Sequence, residues 1–449
     1  MKVTAEDLQR HYARLHDDEL LRLNRDDLTD LARPRYDAEL RRRGLVEPEP
    51  EPAPLAVATF PDAGSAALAK SVLQAAGVEC FVETAGAYGV RLMAPAKRVN
   101  EARGLLEEDE DRARKEASWD GAVAHRFVET NGIRMHYAEA GKGPLVVLCH
   151  GFPESWHSWR HQLLSLASEG YRALAPDLRG YGQTDRPEAV EAYDILQLTG
   201  DVVGLINALA AGPAMVAGHD WGAVLAWHAA LLRPHLVRAL VLLSVPYAPR
   251  RAVNQSQWEA EKYPGKVFYQ AALRSPQAEA FFEQDIRVRL LAGLWSLSGD
   301  APAGERWQPT RDPDAPAAAP LLPVRLPRWL AEADLDFLAG EFRRTGFTGA
   351  LNYYRNCDRN WALTPFLEGA QVPQPTLFVG GEKDPVLDFL GDELAALQSH
   401  VPRLWKKVLI PRAGHWIQQE RPDDVNYWLI EFLNALRPAT SPAAALATP

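Results

Sequence analysis

From His125 onward, short apolar runs alternate with longer segments whose apolar residues recur at helical spacing. LVVLCH at 145–150 is the kind of continuous apolar run that fills a buried central strand. Similar runs follow at YRALAPD, AMVAGHD, ALVLLSV, PTLFVG and WKKVLI, and Asn131-Gly132 indicates a hairpin ahead of them all. This alternation predicts an α/β fold with a mostly parallel central sheet that helices cover on both faces.

The alternation of strand-like and helical segments stops between Val245 and Gln371, where the pattern is helical and includes Trp and Tyr residues. The interruption predicts a helical lid inserted at about 245–371. We expect the α/β domain that carries it to span 119–437 and a flexible tail to follow at 438–449.

The first quarter of the chain has a different pattern. Residues 1–46 show helical spacing among many charges, with helices broken near Pro34, and the Glu- and Pro-rich stretch at 47–54 predicts an extended spacer. Residues 55–116 read as strand, amphipathic helix, two strands and a closing helix, which predicts a small α+β domain of βαββα order. This domain resembles the ferredoxin-like domain of bacterial proteins of the signal-transducing type, in pattern alone and without a chemical motif.

Charge and composition narrow the range of partners. Lys and Arg total 49 against 59 Asp and Glu, for a net charge of -10 without long blocks of either sign, which argues against nucleic acid as a partner. The N-terminus lacks an apolar signal region, and no apolar run is long enough to span a membrane, so we expect a cytoplasmic protein. A homodimer is compatible with the sequence.

The chain has three scattered cysteines, Cys80, Cys149 and Cys357. Their spacing matches neither a metal site nor a disulfide framework. We therefore expect buried, reduced thiols and no metal.

The segment Gly218-His219-Asp220-Trp221-Gly222 follows a buried strand and opens a helical pattern, the context of a nucleophile elbow. A carboxylate at its centre is ionised at neutral pH and can displace at a saturated carbon without first losing a proton. Its product is an ester on the protein. The simpler reading, Asp220 as a helix cap, does not explain Gly on both sides at this spacing.

Such an ester must then be hydrolysed by water with the help of a general base. His415 follows the strand WKKVLI in a short loop and comes last in the order Asp, Asp, His, which makes it the candidate base. Asp384, in the loop after the preceding strand, is the predicted orienting acid. Glu382 in the same loop and Asp177 are its competitors.

The segment His150-Gly151-Phe152-Pro153 follows another strand end. The backbone N–H groups of Phe152 and Trp221 are the predicted oxyanion hole. Pro153 has no N–H and fixes the loop, for which a cis peptide bond would serve. His150 is predicted to brace this loop rather than to catalyse.

Four motifs, HGFPESWHSWR at 150–160, DLRGYGQTDRP at 177–187, GHDWGA at 218–223 and GHW at 414–416, closely resemble those of epoxide hydrolases with the α/β-hydrolase fold. The resemblance runs from about residue 119 to 437. It implies two lid tyrosines that hold the epoxide oxygen.

LNYYRN resembles the family segment that carries the second lid tyrosine, which implies Tyr354. VFYQ resembles the segment of the first, which implies Tyr269, although Tyr263 lies nearby and the family's next aromatic cluster is missing. Two phenols suit an epoxide because ring opening leaves an alkoxide that needs a proton or hydrogen bond.

The resemblance implies that a small apolar epoxide and water react to give a vicinal diol without a metal or organic cofactor. Haloalkane dehalogenases share the aspartate and the following Trp, but similar ones have Asn or Glu where Phe152 stands. A non-catalytic ligand receptor on the same fold is the alternative from another class, and tight binding without turnover would favour it.

Overall fold

The computed structural model describes residues 4–45, 53–60, 63–84, 90–106, 122–209, 212–315 and 320–436. The chain forms two compact units, Met1–Arg114 and Lys115–Pro449. Most of the spacer predicted at 47–54 and the whole tail predicted at 438–449 lie outside the described residues.

The first unit begins with the helices Ala5–Arg14, Asp17–Leu21 and Arg33–Arg43. Pro34 lies in the first turn of the third helix, where its missing N–H removes no helical hydrogen bond, so a new helix begins at the predicted break between helical segments. The four buried side chains that these helices share are those of Tyr12, Leu20, Ala32 and Tyr36.

A small sheet follows in the same unit. Strands β1 (Leu55–Phe60), β2 (Phe81–Thr84) and β3 (Val90–Ala94) are antiparallel in the order β1-β3-β2, with helix Ala63–Ala75 between β1 and β2 and helical residues 99–106 after β3. Leu73 and Leu92 lie at its core. A small sheet domain is therefore present, while its likeness to ferredoxin-like domains stays a prediction.

The second unit is built on an eight-stranded sheet with the order β13-β12-β9-β8-β6-β7-β5-β4. Its strands are β4 (Ala124–Thr130), β5 (Ile133–Ala140), β6 (Leu145–Cys149), β7 (Arg172–Pro176), β8 (Ala214–His219), β9 (Val237–Leu243), β12 (Thr376–Gly381) and β13 (Leu404–Ile410). β4 and β5 pair antiparallel, as do β5 and β7, and the remaining neighbours are parallel. The predicted mostly parallel α/β fold is confirmed.

Burial explains the strand pattern. Every residue of β6 and β8 is buried, as continuous apolar runs require when helices cover both faces of a sheet. Asn131 and Gly132 both have positive φ, at 46° and 75°, and join β4 to β5 as the predicted hairpin turn. The helices outside the lid are Arg160–Ser168, Ile195–Ala208, Trp221–Leu232, Pro385–Phe389, Gly391–Ala395, Leu397–His400, Ile417–Glu420 and Pro422–Ala435.

Between β9 and β12 the described residues contribute no strand to the central sheet. A two-stranded ribbon pairs β10 (Val267–Phe268) with β11 (Thr310–Arg311). The helices here are Gln255–Lys262, Tyr269–Arg274, Ala278–Glu283, Ile286–Ser296, Glu332–Thr345, Thr348–Arg355 and Cys357–Leu363. Helix Thr348–Arg355 packs on the α/β core, where the Tyr353 hydroxyl donates to the Arg179 carbonyl at 3.0 Å.

Two further sequence expectations concern membranes and cysteines. Within the described ranges, no helix has the length and apolar character that crossing a membrane requires.

All three cysteines are free, but only Cys149 is buried, while Cys80 and Cys357 are half-buried. The expectation of three buried thiols was wrong for Cys80, which directly precedes an exposed edge strand, whereas Cys357 is a half-buried residue at the start of a short lid helix whose thiol group is itself buried.

Candidate active site

Asp220 lies at the sharp turn between β8 and helix Trp221–Leu232. Its φ of 52° and ψ of -120° are a strained combination for a residue with a side chain, and they raise the carboxylate above the strand end. A Cβ on Gly222 would stand 2.0 Å from the carbonyl oxygen of Cys149, so β6 can approach the turn only if this position is glycine. Sterics at the elbow thus explain the small residue beside Asp220.

A Gly222→Ala substitution should destabilise the protein because the added methyl group must displace the backbone of β6. The expected cost is about 1–3 kcal/mol, seen as a lower midpoint of thermal unfolding. Gly293→Ala is the matched control, since its Cβ would meet no atom within 4 Å and Ala is the better helix former. A midpoint for Gly222→Ala at or above that of Gly293→Ala would contradict this account.

His415 lies in the loop after β13 and faces Asp220 on one side and Asp384 on the other. Its Nδ1 is 3.1 Å from Asp384 Oδ2, and its Nε2 is 3.8 Å from Asp220 Oδ2. Burial alone would lower the pKa of His415, but the carboxylates of Asp384 and Asp220 raise it to about 9. The charge on Asp220 therefore helps to keep the imidazole protonated.

The two competing acids lie elsewhere. Asp177 is buried, but its carboxylate pairs with His136 Nδ1 at 2.7 Å and accepts the N–H of Trp156 at 3.1 Å. Glu382 is exposed and accepts the Arg412 N–H at 3.4 Å. Among the three predicted acids, the structure brings Asp384 to the histidine.

The loop after β6 reaches the other oxygen of the carboxylate. The Phe152 N–H donates to Asp220 Oδ1 at 2.9 Å, and the Phe152–Pro153 peptide bond is cis. Trp221 begins the next helix, and its N–H is one of the first-turn amides that have no carbonyl partner within a helix. Both predicted oxyanion donors thus belong to segments that meet at Asp220.

His150 is buried behind this loop. Its Nδ1 donates to the Gly151 carbonyl at 2.9 Å, and its Nε2 accepts the Leu178 N–H at 3.1 Å. Both ring nitrogens are therefore occupied by backbone groups of two loops.

Tyr269 and Tyr354 come from two lid helices and meet with their ring centroids 6.4 Å apart. The Tyr354 ring also packs edge-on against Phe152 and Trp221 at 5.4 and 5.3 Å. Burial first, and then the charge of Asp220, raise the pKa of each tyrosine above its ordinary value. Both phenols therefore stay protonated and can donate hydrogen bonds near Asp220. Tyr263 instead stacks on Phe268 at 5.1 Å.

Sequence reasoning assigned no role to a buried pair behind the site. Glu154 Oε2 lies 2.7 Å from His219 Nδ1 and accepts the Gly151 N–H at 3.0 Å, while His219 Nε2 donates to the His415 carbonyl at 2.8 Å. Glu154 and His219 thereby connect the oxyanion loop to the base loop. Both stand inside quoted motifs, but the sequence carried no signal that they touch.

Glu420 was missed as well. Its buried carboxylate accepts the N–H groups of Gly414 and Trp416, on either side of His415, at 2.9 and 3.1 Å. The Ser244 hydroxyl donates to the His415 carbonyl at 2.7 Å. The backbone of the base loop is therefore held at three consecutive residues.

A cavity of about 330 Å³ lies beside the lid tyrosine Tyr269. Trp307 and Phe389 line it and pack on the Tyr269 ring, with centroids at 4.9 and 5.9 Å. Polar groups also line it, including Lys262, Asp388 and Asp392. Because Pro385 forms part of its wall, the cavity also adjoins the loop that carries Asp384.

The eight-stranded sheet, the elbow and the inserted lid together define a hydrolase of the α/β class with aspartate in the nucleophile position. A sequence-family model of the alpha/beta hydrolase fold matches residues 144–422. Epoxide hydrolase A of Mycobacterium tuberculosis is 45% identical over 321 residues, covering 70% of this chain and 99% of that protein.

Two further comparisons agree. Epoxide hydrolase 3 of Siraitia grosvenorii is 40% identical over 317 residues, covering 70% of this chain and 98% of that protein. The solved structure of an epoxide hydrolase from an endophytic Streptomyces has a TM-score of 0.67 and 45% identity, and the match covers 70% of this chain and 96% of the other. The chain belongs to the epoxide hydrolases of the α/β-hydrolase fold.

Proposed function

We propose that the protein converts epoxides to vicinal diols through a covalent ester on Asp220. The observation that carries the proposal is that the two oxygens of this carboxylate have different partners. Oδ1 is held by the Phe152 N–H at 2.9 Å, and Oδ2 faces His415. The two lid phenols lie close enough for the charge of Asp220 to raise their pKa.

In the first step, Asp220 Oδ2 attacks one epoxide carbon and the bond from that carbon to the ring oxygen breaks. Tyr269 and Tyr354 donate hydrogen bonds to the leaving oxygen, and one of the two phenols gives it a proton as it becomes a hydroxyl group. Oδ1 stays with the Phe152 N–H and becomes the carbonyl oxygen of the ester. No charge has to be generated on the nucleophile beforehand.

Ester formation also prepares the second step. It removes the negative charge of Asp220, which is one of the charges that raise the pKa of His415, so the imidazolium can lose its proton, and this proton restores the phenol. Neutral His415, held by Asp384, then takes a proton from water as the water attacks the ester carbonyl. The N–H groups of Phe152 and Trp221 stabilise the oxyanion. Its collapse breaks the bond between the carbonyl carbon and the alkyl oxygen, and that oxygen takes the second proton of the water, which releases the diol and restores the Asp220 carboxylate.

The residues used in these steps, with water, complete the cycle, so the proposal includes no cofactor. The family relatives are named epoxide hydrolases, which supports the reaction class. The rings of Trp307 and Phe389, which pack on Tyr269, support a substrate with an apolar substituent.

The role of the two phenols can be tested by removing their hydroxyl groups. Tyr269→Phe and Tyr354→Phe should each slow ester formation with styrene oxide by about 10- to 100-fold, because one donor to the leaving oxygen is lost. The double variant should be slower than either. Rapid quench-flow with intact-mass detection measures this step directly.

Tyr263→Phe is the control, since Tyr263 stacks on Phe268 outside the pair. It should react within about twofold of the unmodified protein. Equal rates for Tyr263→Phe, Tyr269→Phe and Tyr354→Phe would contradict the proposed roles.

A further inference from the structure

Tyr269 has a polar neighbour that its proposed role leaves unexplained. Gln270, the next residue of the same lid helix, donates from Nε2 to the Tyr269 hydroxyl oxygen at 3.0 Å. A phenol has one proton to donate and two lone pairs that accept. With one lone pair occupied by the amide, the phenol proton remains available for another acceptor.

The opposite orientation of this amide would disable the phenol. If the Gln270 carbonyl oxygen faced Tyr269, it would accept the phenol proton, and the epoxide oxygen would lose its donor. The orientation therefore decides whether Tyr269 can act.

Cys357, from the lid helix Cys357–Leu363, selects the useful orientation. Its Sγ lies 3.9 Å from Gln270 Oε1 and 4.0 Å from the Tyr353 carbonyl oxygen, so both groups in reach of the thiol are acceptors. Burial raises the pKa of Cys357 to about 12, which keeps the S–H in place as a donor. The single thiol proton can go to either acceptor, and when Oε1 receives it, Nε2 faces Tyr269.

We infer that Gln270 is a positioning residue that, together with Cys357, keeps the phenol proton of Tyr269 directed at the epoxide oxygen. The inference rests on the proposed function of Tyr269. Hydrogen bonds in such a chain polarise one another, so the amide also makes the phenol a better donor during ring opening.

The charges around the hydrogen-bonded residues Cys357, Gln270 and Tyr269 are of both signs. Asp220 and Glu259 act on Tyr269, and both raise its pKa. Around Cys357, Glu259 and Asp358 oppose the cations of Arg274 and Arg251. A carboxyl group introduced at position 270 would be half-buried among these groups, with a titration expected at about pH 5–7.

The test compares Gln270→Glu with Gln270→Met in a His415→Gln background, where the ester accumulates and the first step is read alone by intact mass. Above its pKa, the introduced carboxylate can only accept, so it accepts the hydrogen bond of the Tyr269 phenol, and ester formation with styrene oxide at pH 8 should be at least about tenfold slower than in the His415→Gln parent. Below its pKa it can donate, and the rate should recover toward that of the His415→Gln parent.

Gln270→Met removes the hydrogen bond at similar volume. It should slow ester formation by only about two- to fivefold, with the pH dependence of the parent. In a Tyr269→Phe background, Gln270→Glu should have no further effect, because the group through which it acts is gone. Thermal midpoints within a few degrees of the parent show that the variants fold.

A Gln270→Glu rate that parallels Gln270→Met at every pH, or that falls equally in the Tyr269→Phe background, would overturn the positioning role alone. A Tyr269→Phe protein that forms ester at the parent rate would overturn the function proposed for Tyr269 as well. The two failures are therefore distinguishable in one set of measurements.

Discussion

Asp220→Asn should form neither ester nor diol, with diol formation from styrene oxide reduced by at least about 10⁴-fold. A neutral amide lacks the negative charge that attacks the epoxide carbon, while its shape still fits the elbow. Chromatographic diol assay and intact mass after incubation give the result.

The thermal midpoint of Asp220→Asn should stay close to that of the unmodified protein, which separates loss of chemistry from loss of fold. Residual turnover above about 1% would exclude Asp220 as the sole nucleophile. Ester and halide release with a haloalkane, but none with a small panel of epoxides, would move the unmodified protein to the dehalogenases.

His415→Gln should produce a stable adduct whose mass increase equals that of the whole epoxide. The variant keeps Asp220 and both lid tyrosines, so the first step proceeds, but no base activates water for the second. Steady-state diol formation should fall by at least about 10³-fold while the adduct approaches one per chain. Combining His415→Gln with Asp220→Asn should abolish the adduct.

Glu382→Gln is the control for this loop region, because Glu382 is exposed and does not contact His415. Its turnover should stay within about twofold of the unmodified protein. If His415→Gln turned over normally, or if Glu382→Gln accumulated the ester, the assignment of base and acid would be wrong.

Much of the fold was predictable because buried segments have a recognisable local pattern of apolar residues. Strands covered on both faces must be apolar throughout, so β6 and β8 are visible as uninterrupted runs. The Asn131-Gly132 turn is visible because few other residues accept positive φ at both positions. Pro34 indicates an interruption between helices for a similar local reason, since proline is tolerated in the first turn of a helix and disfavoured in its interior.

The candidate site was only partly predictable. Asp220 stands out because the elbow needs small neighbours, and His415 because it follows the last strand. The choice among Asp384, Glu382 and Asp177 depends on which carboxylate reaches the imidazole. Loop residues separated by two positions face different surroundings, and no periodicity records which one points inward.

The sequence by itself determined the class of fold and the elbow at Asp220, because these depend on local sterics and on the spacing of apolar residues, while the two lid tyrosines were implied by the resemblance to epoxide hydrolases. Tertiary structure alone decided the contacts of Glu154 with His219, of Glu420 with the base loop, and of Cys357 with Gln270. The first and the last join residues that are distant in sequence, and the second joins neighbouring loop and helix residues whose orientation only the folded backbone sets. Such hydrogen bonds form where folded segments meet, and a buried polar residue shows its partner only in three dimensions.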